Sequence, residues 1–296
     1  MKILIAGSHG VVGSAATRHL NECGHEVHRL VRQAAGPGEV WWDPDAGEID
    51  KAGLEGFDGV VHLATMTWPM RWTAKAKQTI RANRLATNRL LAESLAGSAD
   101  KPKVLVCASG MGYYPSSGDV VLTEESPAGT SFIAKLQLDG EASTDPASKA
   151  GIRVVHLRIP PVLGGAALQR VGFQAGDGRQ WVSWVGLDEL ASIIEFSLNT
   201  ETLSGPVNAV SPNPMRNADF ARTTSQTLKQ KKAGVMPALL VRLTMGEMGE
   251  EFILASRRMQ PAKLLAAGYQ FHFPKLEQAL RHEMQRMDEG LASQPV

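Results

Sequence analysis

The sequence predicts an α/β protein, a doubly wound parallel sheet covered by helices and followed by a smaller C-terminal lobe. Three observations lead there. An apolar run at the N-terminus enters a glycine-spaced turn and then a helix. Strand-like and helix-like segments then alternate over roughly 160 residues. Beyond Ile159 that rhythm gives way to Gly/Pro-rich stretches.

The elements follow in order. Ile3 to Ala6 is a short apolar run closed by Gly7, and Val11 to Cys23 has helical spacing ending at Gly24, a residue suited to a helix C-cap. Val27 to Val31 reads as a second strand, so this opening forms one βαβ unit, whose parallel strands require a crossover helix. Val60 to Leu63 and Val104 to Cys107 are further strands, separated by a long helix from Thr73 to Leu95 with Ile80, Leu91 and Leu95 on its buried face. A single helix over Ala134 to Lys149 then leads to a strand at Val154 to Leu157. Residues 1–160 therefore read as a Rossmann domain. Pro160-Pro161, Gly164-Gly165 and Gly176-Asp177-Gly178 interrupt the pattern, and helices are expected at Leu187 to Leu198, Asn217 to Leu228 and Leu276 to Met287. Residues 161–296 are expected to form mainly the substrate lobe and a helical C-terminal segment, with part of 187–212 returning to the first domain.

Composition narrows the function classes. The 296 residues are 43% hydrophobic and 21% charged, which is ordinary for a folded globular chain. Lys+Arg 31 against Asp+Glu 30 leaves no excess of positive charge for nucleic acid or anionic lipid. The expected partners are a small-molecule substrate and, at most, a second copy of the chain as a homodimer. Cys23 and Cys107 are too few for a disulfide framework and suit a reducing cytoplasm. The N-terminal apolar run is too short for a signal peptide or a membrane span. His19, His25 and His28 lack the paired spacing of a metal site. The run Lys229-Gln230-Lys231-Lys232 reads as a solvated helix end, and the stretch Met236 to Met248 as core or a partner-facing surface.

Gly7-Ser8-His9-Gly10-Val11-Val12-Gly13 has the form G-x-x-G-x-x-G between a strand and a helix. The first glycine permits the tight turn and the second lets a pyrophosphate approach the backbone. The third allows close helix-to-sheet packing, while the helix N-terminus faces the phosphates. At the end of the second strand, where an NAD site would carry a carboxylate for the ribose 2′-hydroxyl, stands Arg32. A guanidinium there offers a planar fork to a 2′-phosphate, so the expected cofactor is NADP(H), with Ser8 and His9 as further donors.

From here several stretches resemble extended short-chain dehydrogenases/reductases. Asp58-Gly59-Val60-Val61-His62-Leu63-Ala64 is similar to their D-x-V-x-H-L-A strand, and Asn83-Arg84-Leu85-Ala86-Thr87 to the N-x-x-G-T of the next helix. The narrower resemblance is to the NAD(P)-dependent epimerase-like group of the SDR39U1/YfcH type, which carries a C-terminal DUF1731 domain. It rests on Trp42-Asp43-Pro44, Arg71-Trp72-Thr73, Ala108-Ser109 with Gly112-Tyr113-Tyr114, Gly178-Arg179-Gln180-Trp181, Gly205-Pro206-Val207-Asn208 and Gly246-Glu247-Met248. The tail Pro261 to Phe273 adds to it. The resemblance implies that Trp42 and Arg71 lie near the adenosine end and that Leu63, Ala64 and Thr65 run along the cofactor. Asn83, Ala108 and Pro160 are further cofactor candidates.

The catalytic centre departs from that superfamily. Its usual Tyr-x-x-x-Lys is absent: the helix reads Phe132-Ile133-Ala134-Lys135-Leu136-Gln137-Leu138-Asp139-Gly140-Glu141, with Ile133 and Gln137 at those two positions if Glu141 aligns with the usual glutamate. A phenol without the lysine is a poor base at neutral pH. Ser109 at the end of its strand is the candidate for orienting a substrate oxygen, and Tyr113 and Tyr114 are candidate proton donors. Lys135 is out of register and reads as a solvated lysine. Gly140 replaces the usual tryptophan, Arg158-Ile159-Pro160-Pro161 replaces a glycine-containing stretch, and Val185-Gly186-Leu187-Asp188-Glu189 lacks a histidine often found before its acidic pair. Two functions fit this centre: an NADP(H)-dependent oxidoreductase or epimerase-like enzyme acting on a small carbonyl-type substrate, and a catalytically silent NADP(H)-binding sensor or scaffold.

Overall fold

A computed structural model describes residues 1–65, 72–165, 168, 172–229 and 234–289. Arg71 and residues 230–232 of the basic run lie outside them. The main sheet comprises β1 (Lys2–Ala6), β2 (Glu26–Val31), β3 (Glu39–Asp43), β4 (Glu48–Ile49), β5 (Gly59–His62), β6 (Val104–Gly110), β7 (Arg153–Ile159) and β8 (Gly205–Asn208). Its order is β8-β7-β6-β5-β1-β2-β3-β4, parallel throughout except for the antiparallel β3/β4 edge. The chain winds outward in both directions from the β1/β5 boundary, which opens a crevice at the carboxyl ends of those strands.

Strand alternation explains the two buried faces. Ile3, Ile5, Val61, Val106, Val155 and Val207 point to one side, against Ala16 and Leu20 of α1 (Val11–Glu22) and Leu190, Ile193 and Ile194 of α5 (Leu187–Asn199). Leu4, Ala6, Val60, Leu105 and Val154 point to the other, against Leu91, Ala92 and Leu95 of α2 (Ala74–Gly97). Successive strand residues face opposite ways, so strands buried on both sides are apolar at almost every position. α2 begins at Thr73, whose hydroxyl accepts the Ala76 N–H and caps the helix.

The single helix expected over Ala134 to Lys149 is two: α3 (Phe132–Ala142) and α4 (Asp145–Lys149). Pro146 sits in the first turn of α4, where its missing N–H costs nothing, but it cannot extend a helix arriving from residue 142. β3 and β4 answer to no element foreseen in the sequence.

Beyond β7 lie the helices α6 (Asn217–Thr227), α7 (Ala238–Gly249), α8 (Ala262–Ala266) and α9 (Leu276–Asp288). Leu163, Trp184, Phe220, Leu276 and Leu280 form a second core there. Other parts of the region pack on the main sheet: α5 lies against α1, β8 pairs with β7, and Leu264 and Tyr269 enter the main core. The tail is fastened at the start of α5. Glu189 accepts the Tyr269 hydroxyl at 2.6 Å and the Phe273 N–H at 2.8 Å, while Asp188 meets Arg18 at 2.8 Å, His282 at 2.9 Å and Arg286 at 3.1 Å. The acidic pair Asp188-Glu189 is thus engaged in holding the tail.

Among the described glycines, those of the turn between β1 and α1 include the one with the least room for a side chain. Gly7 has φ of 85°, and a Cβ there would stand 2.7 Å from the Ala64 nitrogen. At Gly13 a Cβ would lie 2.0 Å from the Gly7 oxygen, whereas at Gly10 it would meet nothing nearer than 3.4 Å. Gly13→Ala is therefore expected to lower stability by about 1–3 kcal/mol or more, and Gly10→Ala by less than about 1 kcal/mol, in urea denaturation. Equal losses would show that the close packing at Gly13 is dispensable.

Candidate cofactor groove and active site

A cavity of about 1130 Å³ runs over the carboxyl ends of β1, β2 and β5. Gly7 and His9 line it from the glycine turn, Leu63, Ala64 and Thr65 from the end of β5, Asn83 from α2, and Arg32, Trp42 and Asp45 from the far end. Beside Gly7 and His9, α1 starts with no side-chain cap at Gly10 and no acidic residue in its first turn. An uncapped helix N-terminus leaves N–H groups free and carries a positive partial charge, so its position next to the groove suits a diphosphate. Ser8 and Gly13 are buried below the turn, Val11 is exposed beside it, Gly10 lies off the lining and Val12 lines only the second cavity, so of the seven turn residues Gly7 and His9 line the groove. Arg32 is half-exposed, its Nη1 3.3 Å from the Asp45 carboxylate.

A second cavity, of about 360 Å³, continues from the first: Leu63 and Thr65 line both. Its walls are Val12, Met111, Ile159 and Phe252, and its polar groups include Arg84, Ser109 and Gln137. Ala108 lines it as well. Pro160 lines neither cavity; it is buried, and Ile159 holds the place expected of it.

Ser109, only 8% exposed, ends β6 and donates its hydroxyl to Glu141 Oε1 at 2.7 Å, with Gln137 Oε1 3.4 Å away. Glu141 on α3 receives both arms of the Arg158 fork, Nε and Nη2 each at 2.9 Å. This ion pair is almost wholly buried, and the carboxylate keeps the Arg158 guanidinium charged, raised above its ordinary range by hydrogen bonding and charge against the opposing effect of burial. With its proton committed to Glu141, Ser109 offers lone pairs to the pocket.

The two phenols serve elsewhere. Tyr114 is fully buried, accepts from Arg158 Nη1 at 2.9 Å and donates to Asn208 Oδ1 at 2.8 Å. Burial pushes its hydroxyl up to about 12, and it lines neither cavity. Tyr113 lies against Arg158, the guanidinium carbon 3.4 Å from its ring centroid, and also lies off the cavity linings. Both expectations of a proton donor are corrected: the rings pack around Arg158 because a buried cation needs acceptors and π faces. Ile133 is buried against Trp72 and Leu136, and Lys135 is exposed.

Arg84, Glu141 and Arg158 carry no role in the sequence reading. Arg158 had a detectable signal, a charge at the end of the apolar strand Val154-Val155-His156-Leu157, which demands a buried partner.

A doubly wound sheet with an uncapped glycine turn at its switch point, opening onto a serine-bearing pocket, defines a dinucleotide-binding α/β protein. The chain belongs to the NAD dependent epimerase/dehydratase family, whose model matches residues 3–173, and residues 236–283 match the domain of unknown function DUF1731. It is 35% identical to the epimerase family protein Mb2239 of Mycobacterium bovis over 96% of this chain and 98% of that one. The crystal structure of human epimerase family protein SDR39U1 (isoform 2) with NADPH is similar to it with a TM-score of 0.86 and 30% identity, covering 96% of this chain and 99% of that one. A nucleoside-diphosphate sugar epimerase from Corynebacterium glutamicum gives a TM-score of 0.80 at 33% identity, all of this chain covering 62% of that one. Among the described residues no helix is long and apolar enough to cross a membrane.

One buried link joins three elements behind the crevice. Asn88 on α2 donates its amide to the Gly140 carbonyl of α3 at 2.9 Å, so its oxygen faces His62 of β5 and accepts the Nε2–H at 3.0 Å. The imidazole is buried and Nδ1 has no partner among the described residues; burial holds its pKa down at about 3, against 6.5 ordinarily. Between those values the unfolded chain binds the proton that the folded chain refuses. The contribution of a neutral His62 is thus whole above pH 6.5 and lost as pH falls towards 3. Relative to His62→Asn, the wild type is expected to lose up to about 1.4 kcal/mol per pH unit in that window, read by urea denaturation at several pH values. A stability difference that does not vary with pH would contradict this assignment.

Proposed function

We propose that the chain is an NADP(H)-dependent oxidoreductase or epimerase-like enzyme acting on a small carbonyl-type substrate in the cytoplasm. The observation that carries this reading is the continuity of the groove with the Ser109 pocket through Leu63 and Thr65. A dinucleotide with its diphosphate at the α1 N-terminus and its adenosine end near Arg32 and Trp42 extends towards that pocket, and the relative with NADPH supports the choice of cofactor. Bound there, the cofactor supplies hydride transfer at the nicotinamide. Ser109 turns its O–H from Glu141, whose carboxylate the Arg158 fork keeps satisfied, to the substrate oxygen, and solvent supplies the proton in place of the absent Tyr/Lys pair. Arg32 turns from Asp45 to the 2′-phosphate, since an exposed ion pair of that kind is worth little and a dianionic phosphate is the stronger acceptor.

NADPH is accordingly expected to bind more tightly than NADH in a fluorescence titration, with Arg32→Ala weakening NADPH by about tenfold or more. Equal affinity for the two cofactors would refute the NADP assignment.

A screen for NADPH consumption over carbonyl compounds is expected to find turnover that Ser109→Ala lowers on the order of a hundredfold and Lys135→Met leaves nearly unchanged. Tight NADPH binding without turnover across the panel would favour a silent sensor.

A further inference from the structure

Among its described lining residues, the Ser109 pocket contains one charged side chain, Arg84. It projects from α2 and donates an N–H to the carbonyl of Ala108, the residue before Ser109. Among the described residues this is its one hydrogen bond, and no carboxylate pairs with it. Arg84 is partly buried, and the two fully buried guanidiniums among the described residues are treated differently: Arg158 is forked onto Glu141, and Arg257 reaches Glu251 at 2.8 Å and the Tyr114 carbonyl at 2.8 Å. Glu141 is already engaged by Arg158 and Ser109. The neighbouring Cys107 thiol cannot serve as a counter-charge, because burial pushes it up to about 12. Burial lowers the pKa of the Arg84 guanidinium, with Glu141 and Cys107 only partly offsetting that effect.

A planar fork with unused donors, set in a recess walled by Val12, Leu63, Met111, Ile159 and Phe252, is a site for an anion brought by a largely apolar small molecule. A charge stripped of part of its water and given no counter-charge is held at a cost, and a carboxylate on the fork removes that cost. We propose that Arg84 anchors a substrate carboxylate, so that the carbonyl compound is a small oxo acid. This rests on the oxidoreductase reading above. Because Arg84 holds the carbonyl of Ala108, next to Ser109, a carboxylate on the fork places a carbonyl a few bonds away beside the serine hydroxyl. In the reductive direction the hydride of NADPH bonds to the carbonyl carbon, the C=O π pair moves to oxygen, and that oxygen takes a proton from solvent. The products are NADP⁺ and a hydroxy acid, and the carboxylate is unchanged.

The test is calorimetric titration of the NADP⁺-loaded protein with two matched pairs, oxamate against ethyl oxamate and benzoate against benzamide. At least one carboxylate is expected to bind at least about tenfold more tightly than its neutral partner. Arg84→Gln should abolish that preference and Arg84→Lys keep part of it, while both retain wild-type NADPH affinity. No preference for either carboxylate in the wild type, or a preference that survives Arg84→Gln, overturns the proposal. Loss of NADPH affinity in Arg84→Gln equal to the loss for the carboxylate overturns it too, by assigning the arginine to the cofactor. If the wild type binds no NADP(H), the oxidoreductase reading fails by itself, and the matched pairs are then read on the free protein. If neither variant folds, the wild-type comparison alone decides.

Discussion

The buried pair of Arg158 and Glu141 is the interaction on which the site depends. It joins β7 to α3, and from it radiate the hydrogen bonds that hold Ser109 on β6, Tyr114 in the loop beyond, and through Tyr114 the Asn208 side chain at the end of β8. Such a pair is not a large net source of stability, because desolvating two charges offsets most of their attraction. Its effect is geometric. Each partner can be satisfied only where the other stands, so four elements are held in one arrangement around the serine.

That arrangement also accounts for the missing Tyr and Lys. Where the tyrosine would project, Ile133 packs so closely that a Cβ on Gly112 would fall 2.4 Å from its Cγ1. Where the lysine would be, Gln137 approaches Ser109 without a charge. The cations of this centre come instead from a strand, through Arg158, and from α2, through Arg84. The centre thus combines a serine at a strand end with positive charge from elements other than α3.

The fold was legible wherever local pattern and tertiary environment agree. The βαβ opening, the long α2 and α5 have apolar positions at the spacing their burial requires. The division at residues 143–144 was hidden because helical spacing continues across it, and the break is made by one proline. β3 was hidden because Trp41-Trp42 stands between a Gly/Pro stretch and Asp43-Pro44, too short a run to show alternation. At the site, the glycine turn was readable because its three constraints lie within seven residues of chain. Glu141 with Arg158, and Arg84 with Ala108, are pairings between a helix and a strand distant in sequence and leave no spacing to read. Tyr113 and Tyr114 read as donors because a sequence shows a phenol's chemistry but not the arginine it packs against.

Leu63 and Thr65 belong to both cavities, and this shared wall has a thermodynamic consequence. A molecule lying along these residues in the groove becomes part of the boundary met by a molecule in the pocket, so the two occupancies are not independent. Whatever free energy one ligand lends to or takes from the other is the same in both directions. Saturation with the dinucleotide therefore changes the affinity for the smaller ligand by a factor that the smaller ligand returns in full.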